Sequence, residues 1–376
     1  MNQQLIDRVD SIAPTVIAGR EIAEQQGYLA PEVVDAMKEI GLTSLFAPKS
    51  LGGLEADPVT VSRITEAVAR LDTTAAWFLM VSNTGRFAGS RFSEDLLRTL
   101  WGEDINTIVA ASGNQPFHGT RTDGGYRLSG TNGFVSGCHH ARFMLSPFLT
   151  QDAVRVAIFP MTDAQIIDNW HVLGMRGTGS NDVRLDELFV PDEMTWSEAD
   201  GTGNPWHTGD LYRCPSRVVF STYVPIALVL AETALDEISA LAQDKTPYAS
   251  AAKLRERSIA QIKFGRALGT FRAARSHYYE SMETAWVRAQ NGRLATDTEK
   301  VDLYLAGTHA VQACADAVRL VQDIAATTAI YDHSPLQRIF RDMEVIRHHG
   351  FANESRYGSV AQALWGAPLD YPPMLR

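Results

Sequence analysis

The sequence predicts an α+β chain in three parts. An N-terminal helical domain is expected at residues 1–106, a central antiparallel β-domain at 107–196 and a C-terminal four-helix bundle at 214–376. Three observations carry this prediction: helical spacing of apolar residues at the start, a change to short alternating apolar runs in the middle, and a return of long helical segments. A chain of 376 residues is long enough for two or three domains with a sizeable core.

The first two parts differ in the spacing of their apolar residues. Segments 31–46 and 59–80 carry apolar side chains at three- and four-residue steps, which is typical of amphipathic helices. From residue 107 the apolar runs are short, and turn residues such as Asp123-Gly124-Gly125 separate them. Short apolar runs separated by turns predict antiparallel strands. A linker rich in glycine, proline and tryptophan is expected at 197–213.

Helical spacing returns after the linker in four long segments, at 220–242, 251–290, 298–331 and 338–366. Four such helices in succession predict a bundle. Neither an internal repeat nor a low-complexity tract interrupts them.

Composition excludes several classes of function. Lysine and arginine number 34 against 44 acidic residues, a formal net charge of −10, which argues against non-specific binding to nucleic acid or anionic membranes. We expect no stretch apolar enough to span a bilayer, and the first residues lack the pattern of a secretory signal. The three cysteines are far apart, so neither a disulfide framework nor a metal site is expected, and a reducing cytoplasm fits best.

The most informative segment is 169–191, where small residues cluster before a strand. Its turn contains Gly174, Gly177, Thr178, Gly179 and Ser180. Closely spaced glycines let backbone N–H groups approach a ligand, and hydroxyl groups suit a polar ring edge or a phosphate. An ordinary β-turn explains such a run equally well, so the segment alone leaves both interpretations open.

The sequence motifs around this turn resemble those of a known family. LGMRGTGSNDVRLDELFVP, together with RIFRDMEVIRHH near the end, resembles the acyl-CoA dehydrogenase superfamily, and within it the two-component flavin-dependent monooxygenases. The order of helical, β and bundle parts is also that of the family. The resemblance implies an oxygenase component that takes reduced FMN or FAD from a separate reductase and reacts it with O2. Through a C4a-hydroperoxide, it would oxygenate a small, aromatic or heteroaromatic substrate.

A second family-like stretch at 112–143 implies flavin contacts. Its match places Ser136 beside flavin N5 as a catalytic residue, with Gly137 allowing close approach of the ring. The remaining cofactor-binding residues implied are Ser112, Asn114, Trp170, Arg176, Thr178, Gly179 and Ser180. From the bare sequence, Ser136 could equally end a strand and Trp170 could be a structural core residue.

The motif near the C-terminus distinguishes oxygenases from dehydrogenases. Many dehydrogenases carry a Tyr-Glu-Gly glutamate after the shared Arg-Asp pair, here Arg341-Asp342, whereas this chain has His348 and His349. Aligned on that pair, His349 matches the oxygenase histidine and is the expected general base, with His348 as second choice. Alternatively, both histidines are surface or capping residues near the end of a helix, where positive charge is favourable. Arg341 and Asp342 are expected to hold the last helix in place.

Two departures from the dehydrogenases bear on the cofactor. Dehydrogenases have an Arg-x-x-Phe-Gly motif and a Gly-Gly motif that reach the flavin of a neighbouring subunit. The comparable regions of this chain, 248–257 and 323–331, lack both motifs. Both losses suit an enzyme that borrows flavin, and no G-x-G-x-x-G follows a strand, so we expect no NADH oxidation by this chain. The family implies a homotetramer. An acyl-CoA dehydrogenase with bound FAD and a non-catalytic flavin-binding protein stay as alternatives.

Overall fold

The computed structural model describes residues 2–102, 104–197 and 208–375. Most of the predicted linker at 197–213 therefore lies outside the described residues. The helices are α1 (Asn2–Gln26), α2 (Pro31–Glu39), α3 (Pro58–Leu71), α4 (Thr73–Gly89), α5 (Glu94–Trp101), α6 (Ser216–Phe220), α7 (Val224–Asp244), α8 (Ser258–Gln290), α9 (Asp297–Ala325), α10 (Pro335–Arg347) and α11 (Ser355–Trp365). The strands are β1 (Val109–Ala111), β2 (Phe117–Thr122), β3 (Gly125–Asn132), β4 (Phe143–Leu149), β5 (Val154–Pro160), β6 (Gln165–Ile167), β7 (Asp182–Pro191) and β8 (Thr195–Trp196). This order confirms the predicted succession of helices, sheet and helices.

The chain forms two compact units. The first comprises Met1–Asp57, Thr74–Val172 and Arg176–Tyr212, and the second comprises Pro58–Thr73, Leu173–Met175 and Arg213–Arg376. Helix α3 therefore belongs to the same unit as the C-terminal helices, although it is an N-terminal element in sequence. The predicted limits of the three domains remain a prediction from the sequence.

The sheet of the first unit is mixed. Its strands follow the order β6-β7-β3-β2-β4-β5-β8, with β1 beside β4. The sequence predicted only antiparallel strands, but β1 and β2 both run parallel to β4. Alternation of apolar and polar residues reports which face of a strand is buried and carries no information about strand direction. Inward-facing side chains such as Phe117, Leu128 and Phe148 form the core beside the sheet.

The pairing of β3 with β7 positions the glycine-rich turn. The two strands are antiparallel and end with Asn132 opposite Val183. Backbone hydrogen bonds continue beyond them, from Val135 N to Asn181 O at 3.0 Å and from Gly137 N to Thr178 O at 3.0 Å. The segments that follow β3 and precede β7 are therefore held side by side, and both carry predicted site residues.

In the second unit, α7, α8, α9 and α10 pack together, with α3 against α7 and α8. Helix α9 begins with a capping box in which Thr296 and Glu299 satisfy each other's backbone N–H groups. Segment Ser216–Asp244 is long and apolar enough to cross a membrane, which corrects the expectation that no such stretch exists. Since 83% of its most apolar window is buried inside the protein, it is a core helix.

Candidate functional site

Three predicted hydroxyl residues form one buried hydrogen-bonded group, which we call the hydroxyl cluster: Ser136, Thr178 and Ser180. The oxygen of Ser180 lies 2.6 Å from that of Ser136 and 2.7 Å from that of Thr178. Trp77 completes the group, because its indole N–H donates to Ser136 Oγ at 3.0 Å. The indole fixes the orientation of the serine, since a buried N–H without an acceptor is costly.

Two glycines of the same segments lie where a side chain would not fit. Gly137 has φ +74°, and a Cβ there would lie 3.1 Å from the Phe78 ring. Gly179 has φ +53°, and its Cβ would come within 2.9 Å of Tyr28 Cβ. Both positions combine a left-handed backbone with close packing, which glycine alone accommodates without strain. The glycines therefore let the two segments approach closely around the hydroxyl cluster.

A cleft of about 680 Å³ opens in the same unit. Trp170, Arg176, His139, Tyr28 and Asn181 are among its lining residues. This volume is within the range of small-molecule sites.

Trp170 also contacts an aromatic residue beside the hydroxyl cluster. It meets the ring of Phe134 edge to face, with centroids 5.9 Å apart. Phe134 is 60% exposed and has φ +58°, an uncommon backbone for a large side chain. An exposed Phe134 beside a half-buried Trp170, next to buried hydroxyl groups, is suited to contact a flat ring.

The other predicted flavin contacts are in the first unit but make different interactions. Arg176 donates through Nε to Val172 O at 2.9 Å and lies 3.8 Å from Glu24. Ser112 donates to the carbonyl of Gly133 at 2.7 Å and accepts from Asn114 N at 3.3 Å. These bonds stabilise the start of the turn after β3, one residue before Phe134.

His349 lies in the second unit, in the turn that follows α10. Its ring is half-buried and packs beside the rings of Tyr223 and Phe351, at centroid distances of 5.6 and 5.0 Å. Phe351 N donates to Nδ1 at 3.3 Å, which favours the neutral tautomer with its proton on Nε2. Burial, and secondly the positive charge of Arg217, lower the pKa of His349 to about 4. The imidazole is therefore neutral at physiological pH, and any proton that it accepts must go to Nδ1, in place of the hydrogen bond from Phe351 N.

His348 has different surroundings. It directly follows α10 as its C-terminal capping residue. Its side chain is exposed, and its backbone N–H donates to Val345 O in the last turn of the helix. The helix-end interpretation fits this histidine, whereas His349 next to it is enclosed by aromatic rings. The structure thus separates two residues that the sequence left as first and second choice.

The Arg341-Asp342 pair binds the glycine-rich segment. Buried Asp342 accepts from Met175 N at 2.6 Å and from Thr73 Oγ1 at 2.8 Å, and Arg341 donates to Leu173 O at 2.7 Å. A Cβ on Gly174 would lie 2.4 Å from the Arg341 carbonyl. The two family-like motifs therefore meet in space. The pair holds helix α10, whereas the sequence led us to expect that it holds the last helix, which is α11.

Three residues around these groups were not singled out from the sequence. Trp77 lies in an apolar helical segment, where the sequence indicates a core residue, and the surroundings of Phe134 indicate an ordinary strand residue. Arg217 is the second residue of the short helix α6 and belongs to no motif, yet its charge lies near His349. A positive φ or a buried charge cannot be read from residue spacing. Among the described residues, no group of three or more metal-ligating side chains occurs.

Two family models match the chain: acyl-CoA dehydrogenase, N-terminal domain, over residues 2–95, and acyl-CoA dehydrogenase, C-terminal domain, over residues 221–354. Indole-3-acetate monooxygenase from Pseudomonas putida is 28% identical over 91% of this chain and 89% of its own length. The oxygenase component of p-hydroxyphenylacetate 3-hydroxylase from Acinetobacter baumannii is 25% identical over 96% and 87%.

Solved structures show the same fold. XiaF from Streptomyces sp., determined in complex with FADH2 and glycerol, superposes with a TM-score of 0.92 at 22% identity, covering 99% of this chain and 97% of that one. The matched family models cover both helical parts, and the superposition covers the sheet between them. The chain therefore belongs to the acyl-CoA dehydrogenase superfamily.

Proposed function

We propose that this chain is the oxygenase component of a two-component flavin-dependent monooxygenase. The observation that carries the proposal is similarity along nearly the whole chain to proteins named as a monooxygenase and as the oxygenase component of a hydroxylase. The names of these relatives give arylacetates as their substrates. A small aromatic or heteroaromatic substrate is therefore proposed here, in agreement with the resemblance read from the sequence.

The first unit fits a flavin. Ser136 is held by Trp77 and by the other hydroxyl groups, so a polar group is fixed at one point. The cleft lined by Trp170 and Arg176 offers an aromatic face and a cation, which suit an isoalloxazine ring and a phosphate. We assign this cleft and the hydroxyl cluster to reduced FMN or FAD.

Reduced flavin, when bound, supplies an electrophilic oxygen atom from O2. The side chains orient the reactants and move protons. Ser136 is proposed to hydrogen-bond at flavin N5, because a hydroxyl group donates or accepts as the ring changes its protonation. His349, neutral at physiological pH, is proposed to take a proton from the phenol, indole or amine of the substrate. The rings of Tyr223 and Phe351 shield part of the imidazole from water.

Assembly and location follow the family. We propose a homotetramer, a cytoplasmic location and a separate reductase that delivers the reduced flavin. The absence of the two dehydrogenase words at 248–257 and 323–331 supports a flavin that is exchanged instead of permanently bound.

Stopped-flow absorbance tests the function. Protein with reduced flavin is mixed with O2, and a transient absorbing species should precede oxidised flavin. Free reduced flavin under the same conditions is the control, since it oxidises without such a delay. A stable yellow protein that an acyl-CoA bleaches in the absence of oxygen would identify a dehydrogenase. Flavin binding with neither behaviour would identify a non-catalytic protein.

A further inference from the structure

Arg217 is a buried cation in the second unit. Its side chain is 4% exposed, and its Nη2 donates to the Phe351 carbonyl at 3.2 Å and contacts the Tyr223 hydroxyl at 3.4 Å. Its Nε and Nη1 are shielded from water and have no hydrogen-bond partner among the described residues. A guanidinium stays protonated in proteins, so two strong donors and a full charge lie without an acceptor.

Aromatic faces surround this cation. The guanidinium lies 3.9 Å from the ring centre of Tyr304, 5.3 Å from that of Phe351 and 5.8 Å from that of Tyr223. Such faces attract a cation but do not accept the in-plane N–H bonds of a guanidinium. None of the ion pairs found in residues 2–102, 104–197 and 208–375 includes Arg217. The surroundings therefore hold the charge in place and leave Nε and Nη1 without an acceptor.

The position of Arg217 relates it to the proposed base. Phe351, whose carbonyl it binds, also packs against His349, and the charge of Arg217 contributes to the low pKa of that histidine. The outer groups of this cluster, Phe220, His349 and Phe351, are half-buried. The guanidinium thus lies one side chain below a partly exposed aromatic layer that contains the proposed base.

We propose that Arg217 binds the carboxylate of an aromatic acid substrate, so that the enzyme selects aromatic acids over neutral aromatic compounds. This inference rests on the function proposed above. Because Nη2 already bonds Phe351 O and Tyr223 Oη, the carboxylate would accept from Nε or from Nη1, in a charge-assisted hydrogen bond. A chain with net charge −10 repels anions at long range, so recognition of an acid requires such a local cation.

Binding measurements with matched acids and amides test the proposal. The probes are indole-3-acetate and 4-hydroxyphenylacetate, each beside its neutral amide, titrated anaerobically into the full-length protein saturated with reduced flavin. Wild-type protein should bind at least one acid about tenfold or more tightly than its amide, the value of one charge-assisted hydrogen bond. In Arg217→Gln that preference should fall to roughly unity, while Arg217→Lys should keep part of it.

A matched control is Arg63→Gln, because Arg63 also lies over a tyrosine ring, 3.6 Å from the centre of Tyr279, but is 40% exposed. It should leave the acid preference unchanged. Wild-type protein that binds neither acid more tightly than its amide overturns the proposal, and this comparison needs no variant. An unchanged preference in folded Arg217→Gln also overturns it. The transient species formed without any aromatic substrate tests the proposed function separately.

Discussion

At the scale of single residues, the environment of His349 distinguishes it from its neighbour His348. Both are histidines at the end of α10, but His349 is enclosed by Tyr223 and Phe351 whereas His348 is exposed. Enclosure and the nearby charge of Arg217 keep the imidazole neutral. The lowered pKa keeps the imidazole in the form that can accept a proton, the role proposed for it, and also makes it a weaker base than a free histidine.

The first prediction concerns product formation. His349→Ala should still yield the transient species with reduced flavin and O2, because the proposed flavin contacts are on other residues. Product formation should fall by about 10²–10⁴-fold, the usual contribution of a general base, and hydrogen peroxide release should rise in compensation. Stopped-flow absorbance and product analysis measure both. His348→Ala is the control; a variant pair in which only His348→Ala loses product would move the base to His348.

The second prediction concerns pH and stability. The pKa of His349 is about 4 in the folded protein, below its ordinary value of 6.5, so folding favours the neutral ring. Its contribution to stability is fully present above pH 6.5 and is lost as pH falls from 6.5 towards about 4. At about 1.4 kcal/mol per pKa unit, the loss is on the order of 3 kcal/mol.

Urea unfolding of wild type and His349→Gln at pH 7 and pH 4.5 measures this contribution. Because glutamine does not titrate, the difference between the two proteins should shrink at the lower pH. Other histidines with a lowered pKa, such as His140 and His309, titrate in both proteins and cancel in the comparison. Equal differences at both pH values would show that His349 titrates normally.

At the scale of elements, one junction ties α10 to the glycine-rich segment. Asp342 on α10 accepts hydrogen bonds from Met175 N and Thr73 Oγ1, and Arg338 lies within 3.6 Å of the same carboxylate. Burial raises the pKa of Asp342, and the charge of Arg338 opposes that effect. The junction fixes the helix that leads directly into His349, so a fault here should move the proposed base.

The third prediction tests this junction. A Cβ on Gly174 would lie 2.4 Å from the backbone carbonyl of Arg341 and 2.6 Å from Asp342 N, atoms that cannot move without shifting α10. Gly174→Ala should therefore lower the free energy of unfolding by about 1–3 kcal/mol, as overpacking does. Gly358→Ala in α11, where nothing lies within 4 Å of the new Cβ, is the control and should be neutral or slightly stabilising. Equal effects in both variants would contradict the proposed fit.

At the scale of the whole molecule, the question is how the protein holds its flavin and assembles. The chain keeps the superfamily fold over 99% of its length in the comparison with XiaF. It lacks the two dehydrogenase words expected to reach the flavin of a neighbouring subunit. We expect the loss of those contacts to weaken permanent flavin binding.

The fourth prediction follows from that loss. The purified protein should be mostly colourless, should bind reduced FMN or FAD more tightly than the oxidised form, and should be a homotetramer. Absorbance after purification, anaerobic and aerobic flavin titrations, and light scattering measure these properties. Stoichiometric oxidised FAD that remains bound after dialysis would contradict the prediction that the flavin is exchanged. A stable monomer at micromolar concentration would contradict the predicted homotetramer.

The sequence by itself determined the class of each element and most residues of the proposed flavin site. Helical spacing identified α7 to α10, alternation identified the strands, and two family-like words identified the turn at Gly177–Ser180 and the histidine pair after Arg341-Asp342. These features are local, because periodicity reports which face of an element is buried and a motif is a run of neighbours. The roles assigned to the residues remain proposals.

Only the tertiary structure decided the contacts between distant positions. It made the sheet mixed, joined α3 to the C-terminal helices, placed Trp77 on Ser136 and brought Met175 onto Asp342 across 167 positions. It also placed the unmarked Arg217 beside His349. Strand direction, a buried charge and a hydrogen bond between remote residues depend on how the chain closes on itself, which residue spacing does not record.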